Sequence, residues 1–124
     1  MLKVGQCMRP SLTADQDSTI EELATILHEK HVGSVVLVDQ NRRCLGICTE
    51  RDIIQGLARG IPVSAPVKRI MSRNPVTISE QDTLAKARSI LIKRKIRHLP
   101  VVDKEQRLVG IVTTRSLLED LLGV

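Results

Sequence analysis

Two residues three apart, Thr49 and Asp52, carry the most specific chemistry in this sequence. Thr49 closes a strand-like run, Cys44-Leu45-Gly46-Ile47-Cys48, and Asp52 falls in the first turn of the helix expected to follow. The free N–H groups at a helix N-terminus favour an anion, a ligand phosphate included. A carboxylate at that place repels phosphate but suits a diol, since it can accept hydrogen bonds from two adjacent hydroxyls. The pair therefore reads as a nucleoside grip, with Asp52 for ribose and Thr49 for ribose or phosphate. On spacing alone, Asp52 serves equally well as a complement to the helix dipole. Arg51 beside it could hold phosphate in bidentate fashion, or it could simply face solvent.

The stretch around this pair occurs twice. Cys44-Leu45-Gly46-Ile47-Cys48-Thr49-Glu50-Arg51-Asp52 returns 64 residues later as Leu108-Val109-Gly110-Ile111-Val112-Thr113-Thr114-Arg115-Ser116. Upstream, Thr13, Thr19, Ile26, Leu27, Val38 and Asp39 correspond to Thr77, Thr83, Ile90, Leu91, Val102 and Asp103 at the same offset, and Met8 matches Met71 with a slip of one residue. Such self-similarity marks a repeated structural unit. The copies differ where chemistry is expected. Thr113 and Arg115 are retained, but Ser116 replaces the aspartate; a serine can cap a helix yet cannot offer a diol two acceptors. The run Ile96-Arg97-His98-Leu99-Pro100 brings cations, whereas its counterpart Val32-Gly33-Ser34-Val35-Val36 has none.

The elements that must position these residues follow from period and punctuation. Leu12 to Ala14 and Val76 to Ile78 read as short strands. A helix is expected from Thr19 to Lys30, with Ser18 and Glu21 as a capping box and Ile20, Leu23, Ala24 and Leu27 on one face; its end lies before Gly33. Its counterpart runs from Thr83 to Lys95, capped by Asp82, with Leu84, Ala87 and Leu91 inward. The apolar runs Ser34 to Val38 and His98 to Val102 fit strands covered on both faces. Leu45 to Thr49 and Leu108 to Thr113 are the next strands, and Glu50 to Arg59 and Arg115 to Leu122 the closing helices. Each copy thus reads strand–helix–strand–strand–helix. Residues 1–60 form the first copy with its lead-in, 61–69 a linker in which Pro66 could open a short helix to Met71, and 70–124 the second copy. Ile53, Ile54, Leu57 and Ala58 match Leu117, Leu118, Leu121 and Leu122, a stripe that could cover its own sheet or serve a dimer.

Composition narrows the classes. Apolar residues make up 42% of the 124, with no Phe, Tyr or Trp, so the core must be aliphatic. The formal charge of +5 is modest and compatible with ordinary solubility. Lys93, Arg94 and Lys95 complement a helix C-terminus, and a nucleic-acid role is disfavoured because no aromatic side chain can stack on a base. No apolar run is long enough to span a membrane, and Met1 to Pro10 lacks the apolar segment of a signal peptide. Three cysteines, an odd number, fit free thiols and a cytoplasmic protein. Cys44 and Cys48 lie too far apart along a strand for a tight chelate, and the three histidines are scattered, so no metal is expected. No serine or cysteine has a visible His/Asp partner set, so no enzyme is expected.

The G-I-x-T-x-x-D pattern, repeated with serine in its last place and each time after a V-V-x-V-D or L-P-V-V-D run, resembles the CBS domain pair, or Bateman module, over nearly the whole chain from about Met8 to Leu122. The resemblance implies an α/β (α+β) fold with the two copies related by a pseudo-twofold axis, and a free-standing module. It implies that Asp52, as the matching family aspartate does, binds ribose facing the first strands of the other copy. Thr49, Arg51 and Asp52 would then share a site with Thr77, Ile78, Ile96, Arg97, His98 and Pro100. Backbone at Thr77 and Ile78 would meet the adenine edge, Ile96 and Pro100 its faces, and Arg97 and His98 the phosphate. Thr13, Gly33, Ser34, Thr113, Arg115 and Ser116 would form a weaker second site. The implied ligand is an adenosine compound acting as a regulator, AMP, ADP or ATP ahead of S-adenosylmethionine, with no cofactor required. The implied partners are a second copy in a homodimer and an effector protein that responds in trans. The alternative is a constitutive dimerisation or interaction module with a vestigial site.

Overall fold

The structure is a computed structural model and describes residues 1–123. It is mixed α/β, with two sheets and five helices. In chain order the elements are α1 (Val4–Cys7), β1 (Thr13–Ala14), α2 (Ile20–Lys30), β2 (Ser34–Val38), β3 (Cys44–Thr49) and α3 (Glu50–Ala58). After a 3-10 turn (Val67–Arg69) come β4 (Ser72–Arg73), β5 (Ile78–Ser79), α4 (Leu84–Arg94), β6 (His98–Val102), β7 (Leu108–Thr113) and α5 (Thr114–Leu122). They divide into two compact units: Leu12–Pro75, and Met1–Ser11 together with the chain from Val76 onward.

In the Leu12–Pro75 unit the sheet order is β1-β2-β3-β4. β1 runs parallel to β2, and β2 and β3 pair antiparallel with Ser34 opposite Thr49 and Val36 opposite Ile47. The unbroken apolar run of β2 is explained by its burial, since Val35, Val36 and Leu37 are all fully enclosed. α2 buries Ile20, Leu23 and Leu27, which join Val35, Leu37 and Cys48 in one aliphatic core. The second unit repeats this plan with β5-β6-β7, His98 opposite Thr113, and Ala87, Leu91, Leu99, Val101 and Val112 in its core.

The helix starts fall one residue later than the expected caps. Thr19 Oγ1, not Ser18, accepts from Glu22 N at 3.1 Å, and Thr83 Oγ1, not Asp82, accepts from Lys86 N at 3.2 Å. Asp82 instead accepts from the N–H of Ser79 at 3.2 Å, holding the turn that precedes the helix. The stop is made by His31 and Lys95, both at φ 54°, two residues ahead of where Gly33 and Arg97 stand.

Two elements, α1 and β4, have no counterpart among the expected ones, and they explain the slipped methionines. The lead-in packs on the second unit: Val4 N donates to Asp82 O at 2.8 Å, Gly5 N to Glu80 O at 2.9 Å, and Leu84 N to Leu2 O at 3.0 Å. The linker makes the same bonds on the first unit, Val67 N to Ser18 O at 2.7 Å, Lys68 N to Gln16 O at 3.0 Å and Ile20 N to Ala65 O at 3.0 Å. Each segment then runs along the sheet edge. Ser72 lies opposite Ile47, while Arg9 and Ile111 exchange two backbone bonds of 2.9 Å. The segment preceding each copy in sequence therefore completes the other.

This edge pairing sets the glycine of the repeated motif. A Cβ on Gly46 would lie 2.8 Å from Met71 Sδ and 2.9 Å from Ser72 O; on Gly110 it would lie 2.7 Å from Met8 Sδ and 2.9 Å from Arg9 O. The methionines could give way, but the backbone carbonyls cannot without breaking the edge pairing.

The closing helices divide their apolar residues. Ile53 and Leu117 pack on the cores, while Ile54, Leu57, Leu118, Leu121 and Leu122 are exposed. Among the described residues no helix is long and apolar enough to cross a membrane.

The hairpin turns are carried by Asp39 and Asp103, which directly follow β2 and β6. Asp103 Oδ1 accepts from Glu105 N and Arg107 N, both at 2.9 Å, and its other oxygen accepts from Arg107 Nε at 3.0 Å. These bonds, the backbone one from Arg107 foremost, hold its carboxyl below the usual carboxylate range.

Two outcomes are expected. Gly110→Ala should destabilise the protein by about 1–3 kcal/mol through overpacking against the Arg9 carbonyl, measured by urea denaturation; an unchanged midpoint would show that the edge yields freely. Because the folded-state pKa of Asp103 is lowered, its contribution is present above the ordinary carboxylate range and disappears as pH falls through the lowered value. Asp103→Asn should thus be less stable than wild type near neutral pH and converge with it in acid. A gap independent of pH would count against the ionised turn.

Candidate functional site

The junction of β3 and α3 holds the two residues singled out from spacing. Thr49 is the N-cap in extended conformation, and its hydroxyl accepts from Asp52 N at 3.3 Å. Asp52 returns the bond: its Oδ2 accepts from Thr49 N at 2.9 Å and from the Thr49 hydroxyl at 3.1 Å. This is a capping box with aspartate in place of the usual glutamate. Asp52 Oδ1 receives only a long contact, 3.5 Å, from the hydroxyl of Ser72. Ser72 was not found by sequence reasoning; its signal was the neighbouring Met71, the slipped partner of Met8.

The β7–α5 junction is built the same way with serine. Thr113 Oγ1 accepts from Ser116 N at 2.9 Å, Ser116 Oγ accepts from Thr113 N at 3.0 Å, and the Ser116 hydroxyl donates to Thr113 O at 3.0 Å. Ser116 is 4% exposed and its hydroxyl is spent on the cap. A hydroxyl thus suffices for the structural task. The carboxylate of Asp52 performs it with one oxygen and holds a second beyond what the cap requires.

The first helical N–H of α3 donates to Gly33 O at 3.3 Å, and that of α5 to Arg97 O at 3.0 Å. The backbone at Gly33 and Arg97 is therefore fixed by the same task in each unit, while the side chains are free to differ. Ser34 is buried and Thr13 half-buried on β1. Arg51 is exposed with no carboxylate partner among the described residues, whereas Arg115 pairs with Glu119 at 3.6 Å.

In the second unit Thr77 precedes β5, Ile78 is buried, Ile96 and His98 are half-buried, Arg97 is exposed and Pro100 is buried opposite Ile111. The structure therefore places Thr49, Arg51, Asp52, Thr13, Gly33 and Ser34 in one unit. It places Thr77, Ile78, Ile96, Arg97, His98, Pro100, Thr113, Arg115 and Ser116 in the other.

The thiols of Cys44 and Cys48 are poor nucleophiles. Burial pushes Cys44 up to about 11 and Cys48 up to about 12, the latter aided by the negative charge of Asp52, so both are neutral at pH 7. Among the described residues no group of three or more His, Cys, Asp and Glu comes together that could hold a metal ion.

Comparison with known proteins places this geometry. The family model of the CBS domain matches residues 4–59 and again 67–123. An uncharacterized 17.7 kDa protein of Acidianus ambivalens is 35% identical over 106 residues, which are 86% of this chain; the chain spans 64% of that relative's length, a little under two thirds. The CBS domain pair of protein MJ0100, solved in complex with 5′-methylthioadenosine and S-adenosyl-L-methionine, superposes with a TM-score of 0.90 at 30% identity, covering 99% of this chain and 98% of that one. The CBS domain protein PAE2072 from Pyrobaculum aerophilum, complexed with AMP, gives a TM-score of 0.87 at 28% identity, covering 99% and 100%. With two matches that together take in most of its residues, this chain belongs to the CBS domain family.

Proposed function

We propose that this chain is a regulatory module that senses an adenosine nucleotide through Asp52. The observation that carries the reading is the comparison of the two junctions: Ser116 makes the same cap as Asp52 with no acceptor to spare, so the second carboxylate oxygen of Asp52 is surplus to folding. That oxygen and its neighbour suit the two hydroxyls of a ribose. Thr77, Ile78, Ile96 and Pro100 are the residues that the family resemblance implies for the base. Arg51, Arg97 and His98 would favour a phosphate, hence AMP, ADP or ATP over S-adenosylmethionine. Of the two repeat junctions, the one at Thr113 and Ser116 would be the weaker, lacking the carboxylate. The ligands of MJ0100 and PAE2072 support an adenosine compound as the class. Binding would shift a homodimer between two states that an effector protein reads, which requires unequal affinity for those states.

A second reading is a constitutive interaction module with a vestigial site. It is favoured by the exposed Ile54, Leu57, Leu118 and Leu121 of the closing helices.

Asp52→Ser separates the cap from the grip, because serine already serves as cap at the equivalent position. Calorimetric titration with AMP, ADP, ATP and S-adenosylmethionine should show saturable binding to wild type, weakened roughly 10- to 100-fold in Asp52→Ser with little loss of stability. Asp52→Ala should lose binding and also about 1 kcal/mol, because the bond that Asp52 returns to Thr49 N goes while the Thr49 cap stays. Wild type that binds none of the four would sink the sensor reading and leave the interaction module.

A further inference from the structure

The edge strand β4 brings a second side chain to the carboxylate of Asp52. Ser72 lies opposite Ile47 on β3, and Arg73 opposite Gly46. Gly46 lets the strand come this close, since the Ser72 carbonyl passes 2.9 Å from where a Cβ would stand. The Ser72 hydroxyl then lies 3.5 Å from Asp52 Oδ1, the oxygen that the cap does not use. Ser72 is exposed and Asp52 half-buried, so the two meet at the surface.

Folding does not require this hydroxyl, because β4 is held to β3 through its backbone. The other copy makes the same edge with a different side chain. Arg9 exchanges two backbone bonds of 2.9 Å with Ile111, the equivalent of Ile47, and its guanidinium turns to Asp120 at 2.7 Å. At that junction Ser116 has spent its hydroxyl within the cap. The hydroxyl on the edge strand thus accompanies the carboxylate and is replaced where the carboxylate is replaced.

The torsion of the aspartate gives the hydroxyl a task. Asp52 Oδ2 accepts from Thr49 N at 2.9 Å and from the Thr49 hydroxyl at 3.1 Å. Both bonds fall on one oxygen. The terminal torsion of an aspartate is broad, so Oδ1 can still swing about the anchored one. Two adjacent hydroxyls of a sugar need both oxygens in one plane. A donor at Oδ1 supplies that aim before a sugar arrives, and preorganisation of this kind adds affinity by removing an ordering cost. At 3.5 Å the contact is also long enough to yield to a sugar hydroxyl.

We propose that Ser72 is a positioning residue for ribose: its hydroxyl holds Asp52 Oδ1 in the plane that accepts from the sugar diol, and so sets the preference of the site for a ribonucleotide over a deoxyribonucleotide. The inference rests on the reading of Asp52 as a ribose grip and gives that grip a second member on the edge strand.

Calorimetric titration tests this with AMP, ADP and ATP and their 2′-deoxy and 3′-deoxy forms, on wild type, Ser72→Ala and Ser72→Thr. Wild type should prefer the ribonucleotide about tenfold or more, since a deoxy sugar leaves a charged acceptor unpaired. In Ser72→Ala that preference should fall about three- to tenfold against at least one deoxy form, whose own binding changes little. Ser72→Thr keeps the hydroxyl and should restore the preference to within about twofold. A merely structural role would weaken ribose and deoxyribose forms alike and leave their ratio where it was. An unchanged ratio in Ser72→Ala, with wild type binding and preferring ribose, would therefore overturn the role of Ser72 and leave Asp52 as the grip. Wild type that binds none of the three ribonucleotides, or binds them no better than the deoxy forms, would overturn the grip and this role with it.

Discussion

A helix that begins where a strand ends must find acceptors for its first N–H groups within a residue or two of chain. Both junctions of this protein meet that demand identically, with a threonine that accepts from the third helical residue and a third residue that returns the bond. Strand register follows from it, for Thr49 and Thr113 sit opposite Ser34 and His98. The residue at the third position is thereby held in the same place in each copy whatever its chemistry. That constraint is what allows one copy to carry a carboxylate and the other a hydroxyl on an unchanged scaffold.

At the junctions, divergence between the copies falls on atoms that folding leaves free. Gly33 and Arg97 both supply a carbonyl to the following helix, so their backbones are equivalent, yet one has no side chain and the other a guanidinium. The outer faces of α2 and α4 are likewise unconstrained by their cores, and there Glu22 and Glu29 stand where the other copy has Lys86 and Lys93. Duplication has given two equivalent frames, and specificity is written in the positions where the frames make no demand.

Much of this was legible in the sequence. The apolar runs of β2 and β6, the inner faces of α2 and α4, and the strand-to-helix junctions all have the period or punctuation that burial imposes. The caps were displaced by one residue because Ser18 and Thr19, like Asp82 and Thr83, are both able caps, and only the backbone turn decides between them. The packing of the lead-in on the second unit was not legible, because it joins segments remote in sequence through two-residue pairings too short to show a period. Its one trace was the slip that sets Met8 against Met71. Ser72, beside Asp52, was missed for the same reason. The glycine of the repeated motif was seen, but its cause, a backbone carbonyl crossing close above it, belongs to that hidden pairing.

The crossed lead segments also order the events of synthesis. Leu12–Pro75 holds its own edge strand and becomes complete as soon as the linker has emerged. Val4 and Arg9 precede that unit in the chain but meet their partners after it, Asp82 and then Ile111, the latter about a hundred residues further on. Closing so long a loop costs little more than closing a short one, because the entropy grows only logarithmically with length, and the intervening unit is by then compact. Residues 4–9 therefore act as a late fastening, and the second unit is finished only when they return to it.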